Sequence, residues 1–111
     1  MGAEESGMGR YEDKIVKNQG KSKMTWWRLK GVKSRGIINI DEKTHIYDIA
    51  KPIGVLGVVT PATNPTMTPV HNAMIALKGA NAVIICPHPK TQGTTTKTVE
   101  YMRLRDRKSV V

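Results

Sequence analysis

Two short apolar runs set the terms for what this chain can fold into. Ile53-Gly54-Val55-Leu56-Gly57-Val58-Val59-Thr60 and Asn81-Ala82-Val83-Ile84-Ile85-Cys86 lack the apolar–polar alternation of a strand that faces water on one side. They predict strands covered on both faces, with Gly54 and Gly57 inside the first and Pro87 ending the second. Between them Met67, Val70, Met74 and Leu77 recur at helical spacing, and Gly79 is a stop after Lys78. Asn64 and Thr68 each offer an N-cap followed by a proline; a helix begun at Pro65 would have to accommodate Pro69. Strand, helix, strand in this order predicts a right-handed parallel βαβ unit. A second helix follows from Gly93 to about Arg103, weakened by its threonines. The fold class is α/β, with a partial parallel sheet of βαβα order over residues 53–103.

The first half of the chain has a different rhythm. Residues 11–30 read as a helix: Glu12 and Asp13 suit its N-terminus, Gly20 is expected to break or weaken it, and Gly31 stops it. Gly36-Ile37-Ile38-Asn39-Ile40 and His45-Ile46-Tyr47-Asp48-Ile49-Ala50, joined by Asp41-Glu42-Lys43-Thr44, predict a hairpin over residues 36–50, closed by Pro52. With no Phe, two Trp and three Tyr, a core has to rest on Ile, Val, Leu, Met and Ala.

The formal net charge of +9 permits a nucleic-acid or membrane-surface role. The basic residues between Lys14 and Lys33 do not read as one helix face, however. They are expected to form a solvated surface with room for an anionic ligand nearby. Cys86 is the only cysteine, so no internal disulfide forms, which fits a reducing, cytoplasmic compartment. No apolar run is long enough to cross a bilayer, and Met1-Gly2-Ala3-Glu4-Glu5 lacks the features of a secretory signal. Scattered histidines and one cysteine give no metal site, and neither a G-x-G-x-x-G nor a P-loop pattern occurs.

In an open parallel sheet, ligands gather beyond the carboxyl ends of the strands. Two loops lie there: Thr60-Pro61-Ala62-Thr63-Asn64-Pro65 and Cys86-Pro87-His88-Pro89-Lys90. The Asn64 side chain is either an N-cap or, through its amide, a donor to an oxygen that gains charge; one side chain cannot do both. His88 between two prolines is either a solvent-exposed residue on a rigid turn or a contact for a phosphate or an adenine. Cys86 ends an apolar strand and is expected to be a small buried hydrophobe rather than a nucleophile. His71 falls in the helical pattern as a packing or interface residue, and His45 has no visible partner.

Read together, these segments resemble the aldehyde dehydrogenase superfamily, most closely its CoA-acylating branch. The resemblance rests on Glu5-Ser6-Gly7-Met8-Gly9 with Tyr11-Glu12-Asp13-Lys14, on Ala50-Lys51-Pro52-Ile53-Gly54-Val55, and on Thr60-Pro61-Ala62-Thr63-Asn64-Pro65-Thr66. It continues through Ala76-Leu77-Lys78 with Asn81-Ala82-Val83-Ile84, and through Pro87-His88-Pro89-Lys90. The resemblance implies a Rossmann-like NAD(P)-binding domain over residues 1–103, with a basic tail over 104–111 outside the family pattern. It also implies an enzyme that oxidises a small aldehyde with NAD or NADP through a cysteine thioester and passes the acyl group to coenzyme A. By similarity, Asn64 helps hold the oxyanion, and Thr60, Pro61, Ala62 and Thr63 lie along the cofactor. Cys86, Pro87, His88 and Pro89 are implied near its adenosine, and the hairpin is implied to join subunits of a homo-oligomer.

Departures accompany the likeness. Cys86 stands where acylating members more usually carry serine and hydrolytic members lysine. The nucleophilic cysteine and catalytic domain are expected to lie outside this chain, which alone should be inactive. Among acylating enzymes residues 50–90 read closest to the sulfoacetaldehyde type. Two other readings remain: a small basic nucleotide- or nucleic-acid-binding module without catalysis, and a subunit-contact piece built on the hairpin. The first of these needs a stacking surface of aromatics among the basic residues, which is not evident. The favoured reading expects neither a nucleic-acid nor a membrane partner.

Overall fold

The computed structural model describes residues 10–109, with side chains to Arg105; the Glu5–Gly9 motif and the end of the basic tail lie outside the described residues. Helix α1 spans Tyr11–Leu29, and strands β1 (Gly36–Asp41) and β2 (Ile46–Ala50) form an antiparallel pair. Strand β3 (Val55–Val59), helix α2 (Met67–Lys78) and strand β4 (Ala82–Cys86) form a parallel βαβ unit. A 3-10 turn at Pro89–Thr91 leads into helix α3, Gln92–Ser109. This is the mixed α/β architecture that the sequence predicts.

Helix α1 runs unbroken through Gly20, contrary to the expected interruption. A glycine inside a helix costs about 1 kcal/mol, and the packing of α1 against α2 outweighs it. The contact is polar at its centre: buried Thr25 donates from Oγ1 to the Lys21 carbonyl at 2.9 Å and meets His71 Nδ1 at 3.0 Å. Gly31, at φ +79°, supplies the left-handed residue that ends α1.

Neither expected residue caps α2. Thr66 occupies the N-cap in helical backbone geometry without a side-chain cap, and the helix begins at Met67. Pro69 is thereby its third residue, where no N–H has an intrahelical acceptor in any case, so the proline costs nothing there. The early turn is closed instead by Thr68 N–H to the Asn64 carbonyl at 3.4 Å.

The strands of the βαβ unit are covered on one face, not two. Along both, exposed and half-buried residues alternate; Val59 is 82% exposed, and α2 packs on one side only among the described residues. Hence Cys86 is exposed, not buried. Gly54 precedes β3 at φ +125°, a conformation closed to residues with a Cβ, and so belongs to the strand's entry rather than its interior. Asn81 Oδ1 holds that entry by accepting from the N–H groups of Ile53 (2.6 Å) and Gly54 (2.9 Å).

The core also departs from expectation. Its buried members are Ala62, Met67, Ala73 and Ala76 with Pro65 and Pro69, together with Thr25, Thr60, Thr91, Thr94, Thr95 and Thr98. The threonines expected to weaken α3 are the face it buries. Thr95 donates to the Pro65 carbonyl at 3.1 Å and Thr98 to the Thr94 carbonyl at 2.9 Å, so their hydroxyls are satisfied while their methyls pack. Most of the Ile, Val and Leu side chains instead lie on faces that no described element covers.

Candidate functional site

Parallel pairing of β3 with β4 aligns Val59 with Cys86 and so brings the two carboxyl-end loops side by side. The Cys86 carbonyl fastens them: it accepts from Thr60 N–H at 3.0 Å and from Thr60 Oγ1 at 3.2 Å. Thr60 and Ala62 are buried, Pro61 and Thr63 exposed, and Asn64 half-buried beside buried Pro65.

On the adjoining loop, Pro87 and His88 are half-buried and Pro89 exposed. His88 Nδ1 accepts from Lys90 N–H at 3.1 Å, which makes it the cap of the 3-10 turn. With Nδ1 an acceptor, the neutral ring carries its proton on Nε2. The histidine is thus neither freely exposed nor spent on packing, and it keeps a donor for a ligand.

Asn64 likewise follows neither expectation in full. It caps no helix; its Oδ1 accepts from Lys17 Nζ of α1, while Lys14 Nζ donates to the neighbouring Thr63 carbonyl. The Nδ2 end donates to no described residue. An ammonium can only donate, so the contact orients the amide: Oδ1 towards Lys17, Nδ2 away from it. Partial burial depresses the Lys17 pKa, and the positive charges of Lys14 and Lys21 add to the effect.

These lysines correct the reading of the basic segment. Lys14, Lys17, Lys21 and Arg28 follow one another at intervals of three, four and seven residues and so form one stripe on α1. The stripe faces the Thr63–Asn64 loop and the start of α2. The signal was in the spacing, but a charge-rich helix face looks alike whether it meets water or a functional loop.

Below Asn64 the stripe borders a cleft of about 460 Å³ between α1 and α2. Met24, Leu29, Met67 and Ile75 give it apolar walls, and Lys21, Arg28 and His71 give it basic ones. His71, expected to be a packing or interface residue, lines this cleft and faces Thr25 of the neighbouring helix. No group of three metal-ligating side chains occurs among the described residues.

The family model for the aldehyde dehydrogenase family matches residues 18–105. The chain belongs to the aldehyde dehydrogenase family. It is 47% identical over 100 residues to a sulfoacetaldehyde dehydrogenase of Acholeplasma sp, covering 90% of this chain and 21% of that protein. It is 46% identical over 99 residues to the succinate-semialdehyde dehydrogenase (acetylating) of Clostridium kluyveri, covering 89% and 22%. The crystal structure of an acetylating aldehyde dehydrogenase from Geobacillus thermoglucosidasius superposes with a TM-score of 0.90 at 35% identity, covering 98% of this chain and 24% of that one. The chain therefore spans roughly a fifth of the length of these curated relatives.

Proposed function

We propose that this chain is the cofactor-side part of a CoA-acylating aldehyde dehydrogenase that uses NAD or NADP, its nucleophilic cysteine supplied from outside these residues. The observation that carries this reading is the Lys17–Asn64 contact, which turns the amide so that its donor end is left for a substrate oxygen. A preorganised donor of this kind stabilises the negative charge that grows on an aldehyde oxygen under nucleophilic attack. Lys17 acts through Asn64 by fixing which end of the amide is presented. Its positive charge also polarises the amide and strengthens Nδ2 as a donor.

The two paired loops fit a dinucleotide: they lie at the carboxyl ends of parallel strands, and Pro61, Thr63 and Cys86 are exposed on them. Thr60 to Thr63 would hold the cofactor along its length, with Cys86, Pro87, His88 and Pro89 at the adenosine end. When bound, the dinucleotide supplies the hydride acceptor, and coenzyme A supplies the thiol that takes the acyl group. Cys86 is a contact in this scheme rather than the nucleophile, since it lies on the dinucleotide loop and not in the cleft below Asn64. The names of the acylating and acetylating relatives support the choice of reaction. The apolar residues exposed on β1 and β2 support a homo-oligomer joined through the hairpin.

Assays of the isolated chain with aldehyde, NAD or NADP, and CoA are expected to show no turnover. In a polypeptide that joins this chain to a cysteine-bearing catalytic domain, Asn64→Ala should lower kcat by about 100- to 1000-fold, as loss of an oxyanion donor does elsewhere. Unchanged kcat in that variant would remove the proposed role of Asn64.

A further inference from the structure

We infer that Lys17 is a site of covalent acylation, taking an acyl group from a coenzyme A thioester onto its side-chain amine. The site itself stands on the lysine cluster and the Asn64 amide; its consequence for turnover rests on the proposed role of Asn64.

A nucleophile and a donor for the oxygen it would charge meet here on one amide group. Lys17 Nζ lies against Asn64 Oδ1, and Nδ2 of the same amide donates to no described residue. Once Lys17 releases a proton to solvent, it keeps N–H groups to hold Oδ1 and gains a free lone pair. A thioester carbonyl presented to that lone pair can set its oxygen beside Nδ2, which stabilises the charge the oxygen gains. Pro61 and Thr63 are exposed and Asn64 is half-buried, so the amide is approachable from solvent.

The surroundings favour the free amine. Burial first, then the charge of Lys14 and its hydrogen bond, then the charge of Lys21, hold the Lys17 pKa below its ordinary value of 10.5. Lys14 is kept close by donating to the Thr63 carbonyl. Asp13, one turn earlier, is exposed, and its charge does not outweigh these effects. Helix α2, packed against α1, adds His71 and Lys78 and no acidic residue. The same cations attract the phosphates of coenzyme A.

The step needs no oxidant or reductant. The amine nitrogen bonds to the thioester carbon, the C–S bond breaks, and sulfur leaves with its electron pair. The surplus proton on nitrogen passes to the thiolate, so the products are N-acyl-lysine and free coenzyme A. Acylated Lys17 is neutral, and the charge that strengthens Nδ2 as a donor is gone. An accumulating acyl-CoA would thereby damp the reaction that forms it.

The test incubates the full 111-residue chain with acetyl-CoA and follows each lysine over time by peptide mass spectrometry. Lys17 is expected to react about tenfold faster than exposed Lys23 on the same helix, a part of the roughly 100-fold that one such donor is worth in a closed site. It should also outrun Lys14, which has no amide beside it. S-Acetylpantetheine, without the nucleotide phosphates, should keep this order of sites at a lower rate. Asn64→Ala removes both ends of the amide, and Asn64→Asp keeps an acceptor of the same shape but no donor. Each should bring Lys17 down to the rate of Lys23, with circular dichroism verifying the fold. Lys17→Arg should remove the fast phase.

Equal rates at Lys17 and Lys23, or an excess that survives both Asn64 variants, would overturn the inference. That result leaves the proposed function standing, since turnover of Asn64→Ala in the joined polypeptide decides it separately. Fast acylation of Lys17 with unchanged turnover in that variant does the reverse: the modification site holds and the role of Asn64 falls.

Discussion

The β1–β2 hairpin and the β3–α2–β4 unit are made from similar runs of Ile and Val, yet they stand in different relations to the rest of the molecule. Each hairpin strand packs only against the other among the described elements, and Ile37, Ile38, Ile40, Ile46, Tyr47 and Ile49 all remain exposed. In the βαβ unit, one face of the strands is covered by α2, and α2 in turn packs against α1 and α3. The hairpin is held by its own register, the unit by layers. A two-stranded ribbon alone is marginal in water, so the hairpin's exposed apolar surface adds little to the fold, whereas the unit is where the described chain keeps its stability.

The largest expected effect breaks or confirms that division. Ala76 is 2% exposed on α2. Ala76→Asp places a carboxylate among apolar groups with no partner and should cost about 3 kcal/mol or more. The matching change in the hairpin, Ile40→Asp, should cost less than about 0.5 kcal/mol in the unfolding of the chain, since the site is solvated. Urea titrations followed by circular dichroism compare the two directly, and similar losses would refute the division.

Within the unit, the threonines sharpen the picture. Thr95→Val removes the donor to the Pro65 carbonyl and should destabilise by about 1–2 kcal/mol, loosening the loop that carries Asn64. Thr91 is as deeply buried, but its Oγ1 has no partner among the described residues. Thr91→Val should therefore be neutral or stabilising by up to about 1 kcal/mol, because an unsatisfied hydroxyl is replaced by a methyl of similar shape. Thermal melts should fall for Thr95→Val and hold or rise for Thr91→Val.

How much of this was legible beforehand differs by level. Helix α1, the hairpin, the parallel order β3–α2–β4 and the loops at the strand ends all follow from local pattern, because glycine, proline and apolar spacing act over a few residues. Burial did not follow: continuous apolar runs such as Val55–Val59 show that a strand can be covered on both faces, not that this stretch of chain supplies the cover. The threonine-lined core was hidden for a related reason. A threonine in a helix looks unfavourable until a close-packed neighbour takes its methyl and a backbone carbonyl takes its proton, as Pro65 does for Thr95. The partners of Asn64 were hidden by distance, since Lys17 lies 47 residues away in sequence.

The exposed hairpin makes a prediction about association. Ile37 and Ile49 are cross-strand partners. Replacing both with Thr keeps β-propensity but removes apolar area, and should weaken self-association through the hairpin at least about tenfold. Light scattering against concentration reads this, and the urea midpoint of the dilute chain should not change. An unaltered association constant would show that the hairpin is not the contact.

The smallest effect concerns the turn that sets the hairpin's register. The Thr44 hydroxyl and then the Lys43 N–H, 3.0 Å from Oδ1, hold the Asp41 carboxyl below its ordinary value of 3.8. A carboxyl depressed in the folded state contributes stability that is fully present above 3.8 and is lost as pH falls through the folded-state value. Amide exchange at Lys43 and along Gly36–Asp41 should thus accelerate at the acid end of that window, with no matching change in β3 or β4. Asp41→Asn retains an acceptor for the Lys43 N–H but cannot titrate, so it should open the turn slightly at neutral pH and abolish the acid-dependent acceleration. Because the hairpin leans on no other described element, the response should stop at Ala50; if it spread to Val55–Val59, the two regions would be coupled after all.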